Sequence, residues 1–105
     1  MAIQVAGALL DLCVLAVVSR GDTYGYALTQ RVRGSFGVAE SSVYPVLRRL
    51  QQDSFLVTYD QPYDGRNRRY YSITKAGRLR LTELIAEWNG FRNELDRLVG
   101  EEDMR

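Results

Sequence analysis

The segment 41–52 carries side chains whose types and spacing suit binding to a polyanion with hydrogen-bonding edges. Its apolar residues repeat as one face of a helix: Val43, Val46, Leu47 and Leu50. The other face and its flanks hold hydroxyls, guanidiniums and no carboxylate: Ser41, Ser42, Tyr44, Pro45, Arg48, Arg49 and Gln52. Duplex DNA is the obvious partner for such a face. A solvated surface helix with two arginines is the alternative, and this segment alone does not separate the two.

A second group of cations lies between two segments that alternate with the period of a β-strand. These segments are 55–61 and 68–73, and Asp64-Gly65 between them supplies the positive φ that a hairpin turn requires. We therefore predict a hairpin with a tip at 62–67. The tip is basic, and its predicted contacts with phosphate or the minor groove are Arg66, Asn67 and Arg68. A further arginine, Arg69, is expected to face inward toward an acidic partner.

The composition argues against an enzyme. Histidine is absent, cysteine occurs once, and the nine glycines lack the spacing of a phosphate-binding loop. We therefore predict no catalytic residue, no metal site and no cofactor. Because Cys13 has no partner for an intramolecular disulfide and no secretory signal is present, we expect a cytoplasmic protein. The apolar run 5–18 contains Asp11 and is too short to span a membrane, so no membrane contact is expected.

Charge is distributed unevenly along the 105 residues. Residues 31–80 carry ten Lys and Arg against four Asp and Glu, whereas residues 81–105 carry three against seven. The middle of the chain is therefore basic and the C-terminal part acidic, although the net charge is only +1. An asymmetry of this kind is typical of nucleic-acid contact.

The cationic segments are positioned by a predicted series of helices. The first covers 5–18 and the second about 24–33, with Asp22 or Thr23 as its N-cap. The third covers about 40–52, and a cap at Ser41 or Ser42 would place Pro45 within or just past the first turn. The last begins after Thr74, whose hydroxyl is predicted to cap it.

The last helix carries a heptad repeat of apolar residues: Leu81, Leu84, Trp88, Phe91, Leu95 and Leu98. So short a chain offers little core to the far end of so long a helix. We therefore expect a homodimer whose interface includes Leu84, Trp88, Phe91, Leu95 and Leu98. Packing onto the first helix of the same subunit is the alternative, and we favour a mixture in which the distal half is intermolecular.

This order of elements predicts a mainly helical α+β fold, a winged helix-turn-helix of order α-α-α-β-β-α. Residues 1–74 would form the DNA-binding domain and 75–105 a dimerisation helix, together one compact unit. In such a fold the third helix enters the major groove, and the hairpin lies along an adjacent groove or the backbone. The predicted DNA contacts are Ser41, Ser42, Tyr44, Arg48, Arg49, Arg66, Asn67 and Arg68. Among them Arg48 could bond guanine bidentately, Tyr44 either packs or reaches a phosphate, and Arg49 contacts a phosphate or lies at the surface.

Three motifs in order resemble those of small PadR-type transcriptional regulators over nearly the whole chain. They are Tyr24-Gly25-Tyr26-Ala27-Leu28, Val43-Tyr44-Pro45-Val46-Leu47-Arg48-Arg49-Leu50, and Arg68-Arg69-Tyr70-Tyr71-Ser72-Ile73-Thr74-Lys75-Ala76-Gly77. Trp88 also matches the tryptophan common on the last helix of the family. The resemblance implies a cytoplasmic homodimer that usually represses transcription from a partly palindromic operator. The chain departs from the pattern at Tyr24, often histidine, at Ala39, often serine, and at Ser54, usually glycine.

The resemblance also implies an effector site, because small multidrug-binding PadR-like proteins hold flat aromatic compounds beside this tryptophan. In this chain Trp88 could line such a pocket with Leu9, Leu12 and Ala16 and bind a planar hydrophobic effector. The alternative is that Trp88 only fills the dimer core. An alternative to the DNA-binding function is a winged-helix module that binds another protein with the same surfaces.

Overall fold

The computed structural model describes residues 7–103, and its elements follow the predicted order with one addition. The elements are α1 (Gly7–Ser19), β1 (Thr23–Tyr24), α2 (Gly25–Phe36), α3 (Glu40–Gln52), β2 (Leu56–Tyr63), β3 (Arg66–Ile73) and α4 (Lys75–Asp103). The predicted winged helix-turn-helix is confirmed, and the additional strand β1 completes a three-stranded sheet. The predicted start of the first helix, at residue 5, lies outside the described residues. No described helix is both long and apolar enough to cross a membrane.

The core lies where the first three helices meet the base of the hairpin. Its fully buried side chains include Leu15, Leu28, Leu47 and Leu56, one from each of α1, α2, α3 and β2. The apolar stripe predicted for the third helix is buried as expected: Val43, Val46, Leu47 and Leu50. Burial of this stripe fixes which face of α3 remains at the surface.

The hairpin is longer than predicted and its turn is shorter. Strands β2 and β3 pair antiparallel from Leu56 opposite Ile73 to Tyr63 opposite Arg66, which leaves only Asp64 and Gly65 in the turn. Both turn residues have positive φ, 51° and 76°, as a two-residue hairpin turn requires. The prediction of a six-residue tip is therefore wrong. Pro62, where the predicted tip begins, belongs to β2, and proline is tolerated there because β2 is an edge strand.

The N-cap predicted for the second helix is also wrong. Helix α2 begins at Gly25, and Tyr24 precedes it in an extended conformation without a side-chain cap. Thr23 and Tyr24 instead pair with Tyr71 and Tyr70 of β3. A two-residue strand shows no periodicity, and only its pairing to a distant strand defines it. The helix also continues past the predicted end to Phe36 and stops at Gly37, which adopts the left-handed conformation typical of a C-cap.

Helix α3 has the predicted limits but not the predicted cap. Its N-cap is Ala39, which has no side-chain hydrogen bond, and the amide of Ser42 donates to the Ala39 carbonyl at 3.0 Å. Neither Ser41 nor Ser42 is therefore the cap, and Pro45 lies inside the helix, in its second turn. At the other end Ser54 has a φ of 64°, so the turn into the hairpin keeps the conformation for which glycine is the usual residue.

Helix α4 is anchored to the base of the hairpin at its N-terminus. The Thr74 hydroxyl accepts a hydrogen bond from the Gly77 amide at 2.9 Å, which confirms the predicted cap. The same hydroxyl donates to the Ser54 carbonyl at 2.6 Å. The first half of α4 packs against α1 and buries Leu84 in the subunit's own core. Beyond Leu84, Trp88 is half-buried, and the later heptad residues Phe91, Leu95 and Leu98 are exposed.

Candidate nucleic-acid interface

The surface of α3 opposite its buried stripe presents the polar residues that the sequence indicates. Ser41, Ser42 and Arg48 are exposed, and Tyr44 is 38% exposed. The Tyr44 ring lies over Gly25, because a Cβ built there would be 3.6 Å from ring carbons of both Tyr44 and Tyr71. Tyr44 therefore packs between α2 and the sheet while part of its ring remains at the surface. Both roles considered for Tyr44 are sterically open.

The two neighbouring arginines of α3 have different environments. Arg48 forms no ion pair with any residue that the structure describes. The Arg49 guanidinium makes two hydrogen bonds to the carboxylate of Asp11 on α1, with Nη2 to Oδ1 at 2.6 Å and Nη1 to Oδ2 at 3.0 Å. The hydrogen bond to Asp11 raises the pKa of Arg49 above its ordinary value. Arg48 thus keeps an unneutralised charge, whereas the charge of Arg49 is balanced within the subunit.

Asp11 is the residue of this region that the sequence argument left without a role. It is only 8% exposed and lies on a helix that is otherwise apolar. A carboxylate in an apolar run was the available signal, because acidic residues are almost never fully buried without a partner. Nothing in the sequence indicates which of its fourteen Lys and Arg residues would be that partner.

One face of the sheet carries a ladder of aromatic rings and one guanidinium. The Arg68 Cζ lies 3.9 Å from the centre of the Tyr24 ring and 3.6 Å from that of Tyr63. Tyr70 stacks on Tyr59, with 5.6 Å between ring centres and 13° between ring planes. Cation–π contacts orient the Arg68 guanidinium and leave its charge unneutralised. The predicted wing contact Arg68 is therefore half-buried against two tyrosine rings.

The aromatic ladder is tied to the loop after α1 by a hydrogen bond. The Tyr59 hydroxyl donates to Asp22 Oδ2 at 2.7 Å, and this bond raises the pKa of Tyr59. Asp22, predicted above as a possible cap of the second helix, thus accepts a hydrogen bond from the sheet. It joins the hairpin to the helical part of the domain.

The tip of the hairpin presents the remaining predicted contacts. Arg66 and Asn67 are exposed, and with Tyr63, Asp64 and Arg68 they line a shallow polar groove. Arg69 faces Asp60 across the strands at 3.6 Å, so it has the predicted acidic partner. Its side chain is 63% exposed, however, so the expected inward orientation is wrong. The opposite charge on Asp60 suits a cross-strand pair on the surface.

A groove of about 260 Å³ lies between α1 and α4 beside the single tryptophan. It brings together three of the four predicted effector residues, Leu9, Leu12 and Trp88, and adds others that sequence reasoning missed: Ala8, Leu84, Glu87 and Phe91. Ala16 is not among them, because it lines a separate groove between α1 and α2. Ala16 lies about one turn beyond Leu12 on α1, where the other wall of the groove is α2 and not α4.

The fold and this surface define a class of protein, a winged helix-turn-helix DNA-binding protein. The profile of the "Transcriptional regulator PadR-like family" matches residues 14–83, two thirds of the chain. The chain belongs to this family. It is therefore a DNA-binding transcriptional regulator and not an enzyme.

Relatives and solved structures agree with this membership. The chain is 39% identical over 77 residues to the transcriptional regulator Rv3488 of Mycobacterium tuberculosis, a match that covers 72% of each protein. The crystal structure of smu.1704 from Streptococcus mutans has a TM-score of 0.88 and 35% identity, and the match covers 95% of this chain and 94% of that chain. A PadR-like transcriptional regulator from Bacillus cereus has a TM-score of 0.79 and 29% identity over 87% of this chain and 91% of that chain.

Proposed function

We propose that the protein binds a partly palindromic operator as a homodimer and represses transcription from it. The observation that carries this proposal is the division of α3 by burial. Its apolar stripe is buried, and its surface keeps hydroxyls and the guanidinium of Arg48, which has no ion-pair partner among the residues that the structure describes. This is the composition that reads base edges in a major groove.

The contacts divide between the two basic elements. On α3, Ser41 and Ser42 lie in the first turn, where the helix dipole favours a phosphate, and Arg48 is the proposed contact to a guanine. Tyr44 supports the helix through its ring and offers its hydroxyl to a phosphate. On the hairpin, the proposed contacts with the phosphates or the minor groove are Arg66, Asn67 and Arg68. The predicted phosphate contact of Arg49 competes with its ion pair to Asp11.

A second copy of the chain is the proposed partner of the distal half of α4. Phe91, Leu95 and Leu98 are 61%, 47% and 63% exposed, and they continue the heptad that Leu81 and Leu84 begin inside the subunit. An exposed apolar stripe at this spacing is typical of a helix that packs on a second helix. Such a dimer would place two copies of α3 on half-sites about 34 Å apart.

Selection of random duplex oligonucleotides by the purified protein tests the DNA proposal. We expect selection to enrich a palindrome. In Arg48→Ala the preference for the correct base at one position of that palindrome should fall by about 1–3 kcal/mol. Arg66→Ala should weaken binding to all duplexes and lower the salt slope by about 1. Arg97→Ala, which removes an exposed arginine paired with Glu94 on α4, is the matched control and should change neither. Unchanged affinity and salt slope in both test variants would contradict the assignment of these faces.

A planar hydrophobic effector in the groove beside Trp88 is a separate proposal. Trp88 and Phe91 have their ring centres 6.0 Å apart and offer an aromatic wall to a flat molecule. We expect a planar aromatic dye to quench Trp88 fluorescence saturably in the wild type and not in Leu9→Glu, with Ala16→Ser in the other groove as control. Quenching that does not saturate would leave Trp88 as a packing residue only.

The alternative function, a winged-helix module that binds another protein and not DNA, is not favoured by any feature of the described residues. It would predict no salt-sensitive retention on duplex DNA. The salt titration above therefore tests it directly, because phosphate neutralisation releases counterions.

A further inference from the structure

The contact between Asp11 and Arg49 joins two helices through a pair of residues 38 positions apart. The carboxylate lies on α1 at 8% exposure, and both of its oxygens accept hydrogen bonds from the guanidinium on α3. Two parallel bonds between planar groups restrain rotation as well as distance. The pair therefore restrains the rotation of α3 about its own axis relative to α1.

Stability alone does not account for such a pair. Removing a carboxylate from water is costly, and well-packed apolar side chains in the same place often serve stability as well or better. What an apolar contact lacks is a defined angular geometry. Arg49 directly follows Arg48, so the restraint acts on the turn of α3 that carries the Arg48 guanidinium.

We propose that Asp11 and Arg49 are positioning residues for DNA recognition, which orient the reading face of α3 without touching the DNA themselves. This inference rests on the proposed function of α3. It assigns Arg49 a different role from that of a phosphate contact. It also assigns a role to Asp11, which belongs to α1 and so lies outside both basic elements in the sequence.

The two roles for Arg49 predict opposite effects of the same substitution. The Arg49 side chain is 47% exposed, so it has access to solvent and to a phosphate. If Arg49 held a phosphate, Asp11→Asn would free the Arg49 charge from its ion pair. Affinity for every duplex would then rise, and its dependence on salt would become steeper. If it positions α3, Asp11→Asn lowers affinity for the selected operator and leaves binding to a random duplex unchanged.

The experiment measures binding of Asp11→Asn, Arg49→Gln and the double variant to the selected duplex and to a scrambled duplex of equal length. We expect each single variant to lose about tenfold on the selected duplex, within the discrimination of one base contact, and to change by less than about twofold on the scrambled one. The double variant should be no weaker than either single variant, because both remove one interaction. Glu94→Gln, which removes one partner of an exposed ion pair on α4, is the control for loss of a carboxylate.

Arg49→Lys separates the two roles when Asp11→Asn does not fold. Lysine keeps the positive charge and still neutralises the Asp11 carboxylate, but it cannot form two parallel hydrogen bonds to that carboxylate. The positioning role predicts a loss on the selected duplex in this variant, and a phosphate contact predicts none. Thermal unfolding of each variant without DNA shows whether the domain is intact at the assay temperature.

Three results would overturn the inference. One is a gain in affinity for both duplexes in Asp11→Asn, another is wild-type affinity for the selected duplex in that variant, and the third is wild-type affinity in Arg49→Lys. Failure of the proposed function is distinct from these, because the wild type would then show no salt-sensitive binding to any duplex. The positioning role, which depends on that function, would be abandoned with it.

Discussion

The two halves of α4 carry one continuous heptad in different surroundings. In the first half Leu84 is 3% exposed and belongs to the subunit core, whereas in the second half Leu98 is 63% exposed. Their glycines differ in the same way. A Cβ at Gly77 would overlap the Phe55 carbonyl oxygen, whereas a Cβ at Gly90 would meet no atom within 4 Å. One sequence pattern therefore contributes to two different contacts, one within the subunit and one that we propose between subunits.

The difference shows what a heptad repeat encodes. The repeat requires an apolar partner along the whole stripe, but it does not state which molecule provides it. The described part of α1 begins at Gly7, and the groove that it forms with α4 is lined on the α4 side from Leu84 to Phe91. The predicted mixture of intramolecular and intermolecular packing is consistent with this division, while the dimer itself stays a proposal.

The largest expected effect compares the two halves by leucine truncation. Leu84→Ala should lower the free energy of unfolding by about 2–5 kcal/mol at any protein concentration, because it leaves a cavity in the subunit core. Leu98→Ala should change subunit stability by less than about 0.5 kcal/mol and weaken self-association. Urea unfolding at two protein concentrations and sedimentation of both variants check this. Equal losses in both variants, independent of concentration, would mean that the two halves share one environment.

A smaller effect is expected from substituting the two glycines of α4 that were compared above, Gly77 and Gly90. Gly77→Ala should destabilise by about 3 kcal/mol, at the upper end for overpacking, because the new methyl group meets backbone and the Ile73 side chain at 2.8 Å. Gly90→Ala should stabilise by up to about 1 kcal/mol, since alanine has the higher helix propensity and the site is open. Thermal unfolding of the two variants measures the contrast. A stabilised Gly77→Ala would show that the hairpin base can move away from α4.

The smallest effect concerns Thr74, which caps α4, and Thr82 in the first half of that helix. Thr74→Ala should cost about 1 kcal/mol, because it removes the cap on the Gly77 amide. Thr82→Ala should be neutral or stabilise by up to about 0.5 kcal/mol, since the Thr82 hydroxyl only bonds the Arg78 carbonyl within the helix. The free energies of unfolding of both variants test this difference. Similar losses of unfolding free energy in both variants would show that the Thr74 cap contributes no more than a threonine inside the helix.

Most elements of the fold could be predicted from the sequence, because each has its own short-range signal. The period of 3.6 identifies α3, with the limits that the structure shows, and the period of two with Asp64-Gly65 identifies the hairpin. Two of the errors fall where a non-local contact replaces a local rule. Thr23 pairs with Tyr71 instead of capping α2, and Pro62 continues an edge strand instead of ending it.

The candidate site was predictable in its residue types and only partly in its contacts. Arg48, Arg66 and Asn67 are exposed as a DNA-reading surface requires, and the apolar period alone indicates this for α3. The environments of Arg49 and Arg68 were not predictable. One is held by a buried carboxylate and the other lies between two tyrosine rings.

The sequence by itself determined the order of the helices and strands, the buried stripe of α3 and the basic character of the hairpin. These properties follow from neighbours a few residues apart, whose spacing is the same in any fold. The tertiary structure alone decided that Asp11 neutralises Arg49, that Leu84 belongs to the subunit core and that Ala16 lies outside the groove beside Trp88. Such contacts join residues far apart in the chain, and only the packing of α1 against α3 and α4 brings them within bonding distance.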